Sequence, residues 1–236
     1  MYYNWTRGHT QLFWDDKTTD GRQIKLNDLL TKIFGEVDNG TFVEVGAHNG
    51  IDCGITTCLA DKGWKGVYVE PNPYWAAETA RNHAQNPNVQ VLKVACGPKS
   101  GQVTLFGTDA GATISKAYLD EVASKLSWSG DHSQKQVVPM YPLNAVLEKC
   151  KIKIGFEVLS VDVEGYELEV FEGFDLKTYK PKLMMIEMAD NHPDLSKFET
   201  HNIKYATLRQ IIKDAGYVEY YKDIVNSVFL LSEYVP

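Results

Sequence analysis

The sequence predicts an α/β fold: a doubly wound, mostly parallel sheet with helices on both faces and an antiparallel last strand. Three observations carry it. From Thr41 onward, short apolar strand-like runs alternate with amphipathic helical stretches. The first run, in T-F-V-E-V-G-A-H-N-G (Thr41–Gly50), passes into a glycine turn, and the second, Gly66–Glu70, ends in an acid. A glycine turn after strand one and a carboxylate at the tip of strand two is how such sheets hold a nucleoside ribose. The chain closes on two runs separated by a short turn, Tyr217–Tyr221 and Ser227–Leu231, which pair antiparallel.

The elements follow in order. Residues 1–22 are polar and aromatic by turns, with Trp5, Phe13 and Trp14, and read as an arm. Gln23–Phe34 carries apolar residues at helical spacing and is expected to pack on the sheet, so residues 1–40 form an arm and a helix against a domain spanning 41–236. A helix over Thr56–Lys62 ends near Gly63, where glycine suits a C-terminal cap. Tyr74–Asn86 is a helix, Val89–Ala95 the third strand, and Gln102–Phe106 a short strand extending or flanking the sheet. Gly107–Gly130 is the least regular part and includes a helical stretch, Ser115–Leu126, within a segment, 107–135, read as a lid. A long irregular segment of this kind suits a substrate lid, with a plain surface excursion as the alternative. Gln136–Met140 contains Pro139, which predicts an edge strand. Pro142–Lys149 is a helix opened by proline. Val158–Val163 is strand four, followed by a helix over Tyr166–Glu172, strand five over Leu183–Met188, and a helix over Lys204–Ala215 capped by Gly216.

The totals bound the function. A chain of 236 residues is long enough for a sizeable core, and a net charge of −7 argues against broad nucleic-acid binding, which needs a basic face. No apolar run approaches the ~20 residues of a membrane span, and the first residues lack a signal-peptide core. Cys53, Cys58, Cys96 and Cys150 show neither C-x-x-C nor zinc-ligand spacing, so free thiols in a reducing cytoplasm are expected.

Ligands in such sheets lie across the carboxyl ends of the strands. There the sequence places Glu44 and the turn Gly46, Ala47, His48, Asn49, Gly50 from strand one, Glu70 with Pro71 and Asn72 from strand two, and Ala95 and Cys96 from strand three. Strand four offers Asp162 and Glu164; strand five offers Glu187, followed by Asp190, Asn191 and His192; the last hairpin offers Asn226. The turn lacks the G-x-G-x-x-G of dinucleotide folds and suits a ligand without a pyrophosphate, such as the amino-acid end of S-adenosylmethionine. Glu44 is placed to meet that ammonium, and Glu70 to accept the two ribose hydroxyls. His48 and Asn49 also have a local reading, as turn residues bonding nearby backbone. Asp162 and Glu164 fall on one side of strand four; helix capping is the simpler reading for Glu164 or Glu167 and explains Asp162 less well. Asp162 and Glu187 suit acid/base work or an oxygen-ligated Mg²⁺, and His192 a general base or ordinary turn chemistry. Trp75 and Trp128 are candidates to stack on a sugar ring, with plain packing as the alternative.

These residues together resemble the FkbM family of S-adenosylmethionine-dependent methyltransferases. The matching pieces are T-F-V-E-V-G-A-H-N-G, G-W-K-G-V-Y-V-E-P-N-P (Gly63–Pro73), L-S-V-D-V-E-G-Y-E-L-E-V-F-E-G-F (Leu159–Phe174), I-E-M (Ile186–Met188) and N-S-V-F-L (Asn226–Leu230). The resemblance implies a seven-stranded class I methyltransferase (Rossmann-like) sheet and transfer of methyl to an oxygen, often of a sugar or a secondary-metabolite hydroxyl. It implies that Gly46–Gly50 lie at the methionine end of the cofactor, Glu70 at its ribose, Ala95 and Cys96 by the adenine, and Asp162 and Glu164 near the transferred methyl. The expected function is therefore O-methylation of a small-molecule or glycan acceptor. A NAD-dependent oxidoreductase and a non-enzymatic cofactor-binding module are the rivals, and a metal-assisted methyltransferase is a third.

Overall fold

The computed structural model describes residues 26–52, 54–123, 132–188, 190, 192, 195–222 and 225–236. The proposed N-terminal arm, Cys53, the last part of the expected 115–126 helix, Trp128 and Asn191 lie outside the described residues.

The main sheet has seven strands in the order β3-β2-β1-β7-β8-β10-β9. They are β1 (Thr41–Val45), β2 (Lys65–Val69), β3 (Val89–Leu92), β7 (Val158–Val161), β8 (Leu183–Glu187), β9 (Tyr217–Lys222) and β10 (Asn226–Leu231). All contacts from β3 through β8 are parallel, and β10 runs antiparallel to both β8 and β9. The predicted α/β class, with its antiparallel last strand, is the observed one. Strand residues alternate between two cores. Val43, Val45, Val67 and Val69 face one side with Leu143, Val146, Phe171, Leu208 and Ile212. Phe42 and Tyr68 face the other with Leu29, Leu30 and Leu59. The first side is covered by α5 (Leu143–Lys149), α6 (Glu167–Glu172) and α8 (Glu199–Asp214), the second by α1 (Leu26–Phe34) and α2 (Thr57–Asp61). Helix α3 (Pro73–Asn82) follows β2, and a short α7 (Leu176–Tyr179), not foreseen from the sequence, precedes β8.

A second sheet holds β4 (Ala95–Cys96), β5 (Gly101–Phe106) and β6 (Lys135–Tyr141), in the order β4-β6-β5. This corrects two expectations. Ala95 is not the end of strand three: β3 stops at Leu92, and the chain leaves to pair Ala95 and Cys96 with Met140 and Tyr141. The strand carrying Pro139 is central rather than an edge, tolerated because β4 reaches only Met140 and Tyr141 and leaves the rest of that side open. The residues between β5 and β6 form an insertion that begins with a bridge between Phe106 and Thr113 and carries α4 (Lys116–Tyr118), continued by a π-helical turn over Leu119–Ala123.

Candidate active site

The turn after β1 is built from its own sequence outward. Gly46 has φ +90, and a β-carbon there would collide with the carbonyl oxygen of Asp162 on the next strand. Glycine is required for both the backbone angle and the close approach. The Gly46 N–H donates to Val69 O at 2.9 Å, and Asp162 N–H to Val45 O at 2.9 Å, so three strand ends meet here. His48 takes a left-handed backbone with φ 48. Its N–H donates to Glu70 Oε2 at 2.8 Å, and its carbonyl accepts from Thr79 Oγ1 at 2.6 Å. Its ring lies 3.9 Å from the Trp75 ring, centroid to centroid, and 3.4 Å from Asp109. Neither ring nitrogen has a hydrogen-bond partner among the described residues. Burial pushes the His48 pKa down against the pull of Asp109. Asn49 accepts from Ile51 N and Asp52 N through its side-chain oxygen at 2.9 and 2.8 Å, a turn-closing role.

Glu44 and Glu70 are both buried. Glu44 accepts from Ile55 N at 2.9 Å, Thr56 N at 3.1 Å and the Thr56 hydroxyl. The helix expected over Thr56–Lys62 is α2, Thr57–Asp61, with Thr56 and Lys62 at its ends. Glu44 takes the N–H groups of Ile55 and Thr56 ahead of it. Glu70 accepts from His48 N and from Asn72 N, each at 2.8 Å, one on each oxygen. A carboxylate oxygen has room for a second donor. Burial pushes both carboxyls up to about 7. Asn72 caps α3 by accepting from Tyr74 N at 2.9 Å and donates to Thr108 O at 3.3 Å, with Pro71 between it and Glu70. Trp75 Nε1 donates to the same Thr108 carbonyl at 2.6 Å. The start of the insertion thus rests on the turn and on the exit of β2. Ala95 and Cys96 are buried, and burial alone pushes the Cys96 thiol up to about 12.

The acids of strands four and five come together. Asp162, Glu164 and Glu187 each offer an oxygen within 4.8 Å of the others. Burial and neighbouring carboxylates raise all three: Asp162 to about 6, Glu164 to about 8, and Glu187 well above the usual carboxylate range. The contact with Glu187 pulls Asp162 down and pushes Glu187 up. Asn226 pairs in register beside Glu187. Glu164 is also left-handed, with φ 53. Its carboxylate accepts from Tyr118 OH at 3.0 Å and its carbonyl from Thr113 Oγ1 at 2.7 Å. Beneath the loop, fully buried Glu167 accepts from Val163 N, Gly165 N and Tyr205 OH at 3.2, 3.1 and 3.0 Å. Of the two acids open to a capping role, Glu164 and Glu167, it is Glu167 that holds the turn. The backbone carbonyl of His192 accepts from Leu195 and Ser196 and closes a turn. Asp190 pairs with Arg209. Tyr118 and Thr113 carry no motif and could not be found from sequence: they reach Glu164 across 46 and 51 residues.

The strand order, with a glycine turn beside a buried acid at the strand ends, is that of an α/β fold that takes its ligand across the carboxyl ends of its strands. The sequence matches the model of the methyltransferase FkbM domain over residues 44–219, most of its length, and the chain belongs to that family. Membership in a methyltransferase family sets aside the dinucleotide oxidoreductase reading. No curated protein sequence matches the chain. Among solved structures it is similar to an FkbM methyltransferase from Methylobacillus flagellatus, at 13% identity and TM-score 0.49, over 82% of this chain and 44% of that one. It is also similar to an O-methyltransferase from Bacillus cereus in complex with SAH, at 11% identity and TM-score 0.47, over 85% of this chain and 76% of that one. The chain thus spans less than half the length of the Methylobacillus protein. Among the described residues no helix is long and apolar enough to cross a membrane.

Proposed function

We propose that this protein transfers a methyl group from S-adenosylmethionine to a hydroxyl of a small-molecule or glycan acceptor. The observation that carries the reading is the convergence of two sites on adjacent strands. The Gly46–Gly50 cradle with Glu70 lies at the end of β1 and β2, and the Asp162–Glu164–Glu187 cluster at the end of β7 and β8. The residues fit the cofactor: the cradle excludes side chains at Gly46, and Nδ1 of His48 is buried without a partner while its Nε2 faces Asp109 at 3.4 Å. Each Glu70 oxygen keeps a lone pair for a ribose hydroxyl.

S-adenosylmethionine supplies an electrophilic methyl when bound. This chain's residues hold the partners in line, which supplies much of the rate, and receive the proton the hydroxyl gives up. Asp162, at about 6, is ionised at neutral pH and is the group placed to accept it. Glu187 steadies that anion by hydrogen bonding, and Glu164 lies beside it as a further carboxyl, raised to about 8, whose ionisation a nearby cation would favour. The reading gives the His192 ring no step. The described start of the insertion, residues 107–123, forms the acceptor side of the cleft, since Thr108 touches the exit of β2 and Thr113 and Tyr118 touch the Glu164 loop. We place the protein in the cytoplasm, with the buried thiols of Cys96 and Cys150 as support.

A divalent cation is the second reading, favoured by the 4.8 Å span of the three carboxylate oxygens, a donor set that suits Mg²⁺. Chelator treatment that abolishes transfer, reversed by Mg²⁺, decides for it. The main experiment is calorimetric titration with S-adenosylmethionine, S-adenosylhomocysteine and NADH, followed by a screen of sugars and glycosides as acceptors. Binding of the two sulfur compounds alone, with methylated product, is expected. No binding of either overturns the reading; binding with no transfer to any acceptor favours a non-enzymatic module.

A further inference from the structure

The insertion and the acid loop are joined by a closed circuit of hydrogen bonds. Thr113 Oγ1 donates to the Glu164 carbonyl at 2.7 Å and accepts from Ser115 N at 2.9 Å. Ser115 Oγ accepts from Tyr118 N at 3.2 Å, and Tyr118 OH returns to Glu164 Oε2 at 3.0 Å. Thr113, Ser115 and Tyr118 are all buried. The bridge between Phe106 and Thr113 anchors the circuit to β5. Gly165, with φ +86, leaves room for the ring: a β-carbon there would run into Tyr118.

We propose that Tyr118 is a positioning residue for methyl transfer, with Thr113 as its second point of attachment: together they clasp Glu164 at both ends and hold its carboxylate beside the methyl to be transferred. The inference rests on the reading of the acid cluster as the methyl-facing part of the site. Two features support it. Glu164 sits in a left-handed backbone, which a bulky residue keeps only when its surroundings hold it there. Burial and the surrounding acids push the Tyr118 phenol far up, so it serves as a donor and never as the base.

The test needs no acceptor. Sinefungin carries a protonated amine where S-adenosylmethionine carries its methylsulfonium, and S-adenosylhomocysteine carries no charge there. Preference for sinefungin therefore reports a carboxylate at the methyl position. Both are titrated calorimetrically into chelator-treated wild type, Glu164→Gln, Tyr118→Phe and Thr113→Val, each checked for cooperative thermal unfolding. A charge-assisted contact in wild type is expected to give roughly tenfold tighter binding of sinefungin. Glu164→Gln is expected to reduce the preference to about threefold or less, the remainder belonging to Asp162. Tyr118→Phe, which keeps the ring, is expected to reduce it to about threefold or less while leaving S-adenosylhomocysteine binding unchanged. Thr113→Val should act in the same direction. If Tyr118→Phe and Thr113→Val keep the full preference that Glu164→Gln loses, the clasp does not position the acid and the inference is overturned. If wild type shows no preference, or Glu164→Gln retains it, Glu164 does not face the methyl. The cluster reading then falls, and this inference with it. Loss of binding to both compounds in wild type sinks instead the cofactor assignment.

Discussion

Replacing Glu70 by glutamine separates what its carboxylate does for the turn from what it does for a ligand. In the wild type its two oxygens accept from His48 N and Asn72 N at 2.8 Å each. The glutamine oxygen can keep one of these partners, but its amide nitrogen faces the other donor. One buried N–H is orphaned, at a cost of about 1–3 kcal/mol. His48 is held in its left-handed conformation by Glu70 on one side and Thr79 on the other, so this loss loosens the cradle itself. The variant also loses one of two acceptors for the ribose diol, worth about another 1.5–3 kcal/mol because the acceptor is charged. The orphaned N–H lowers the stability of free and bound protein alike, while the ligand loss predicts that the Kd for S-adenosylhomocysteine rises at least roughly tenfold, since 1.4 kcal/mol is a factor of about ten. A second signature follows from the carboxyl's position at about 7. Wild-type affinity should fall below neutral pH as the diol loses its ionised acceptor, whereas the glutamine variant should show no such dependence. Calorimetry at pH 6 and pH 8, with thermal unfolding of the free proteins, reads both effects. A variant that is less stable but binds within threefold of wild type at both pH values would refute the ligand role and leave Glu70 as a turn anchor only.

Other expectations concern stability and chemistry. Gly46→Ala brings positive-φ strain together with a backbone collision at Asp162. It should lower stability by about 3 kcal/mol or more and abolish cofactor binding; a native melting temperature would contradict this. Asp162→Asn should leave S-adenosylhomocysteine affinity nearly unchanged while removing methyl transfer, measured as loss of product from the acceptor found by screening. Stability should depend on pH in an unusual direction. Glu44 and Glu70 keep their protons to about 7 in the folded chain, while unfolded glutamates release them near 4.3. The folded state therefore binds more protons between these values, and stability falls as pH rises from about 5 to about 8. The share from Glu44 alone is roughly 3 kcal/mol, so urea midpoints should drop over that range, and Glu44→Gln should flatten the curve. A midpoint that climbs with pH would refute it.

Much of the architecture was legible because period-two alternation and glycine punctuation are local signals. Phe42 and Tyr68 on one face, with Val43 and Val67 on the other, follow from the sequence alone. The acids at the ends of β7 and β8 were legible for the same reason, since a carboxylate ending an apolar strand needs an explanation. The departure of Ala95 and Cys96 into a second sheet was not, because V-L-K-V-A reads as one continuous strand and only the partner at Met140 and Tyr141 breaks it. Glu44 illustrates a different limit. Its burial was inferable, but whether its oxygens met a ligand or the Ile55–Thr56 backbone depended on a loop conformation with no sequence signature. Tyr118 lay beyond reach because its partner stands 46 residues away.

The contact between Gly46 and the Asp162 carbonyl has a consequence for descent. The cofactor cradle belongs to the first half of the chain and the acid loop to the second, and they touch at backbone atoms with no side chain between them. Neither loop can drift alone, because a side chain gained at position 46 demands displacement of the opposite strand end. The insertion after β5 is under no such bond to the cradle's backbone. Divergence among descendants should therefore collect in the insertion, where a new acceptor can be recruited, while the seam between the halves is inherited as a pair.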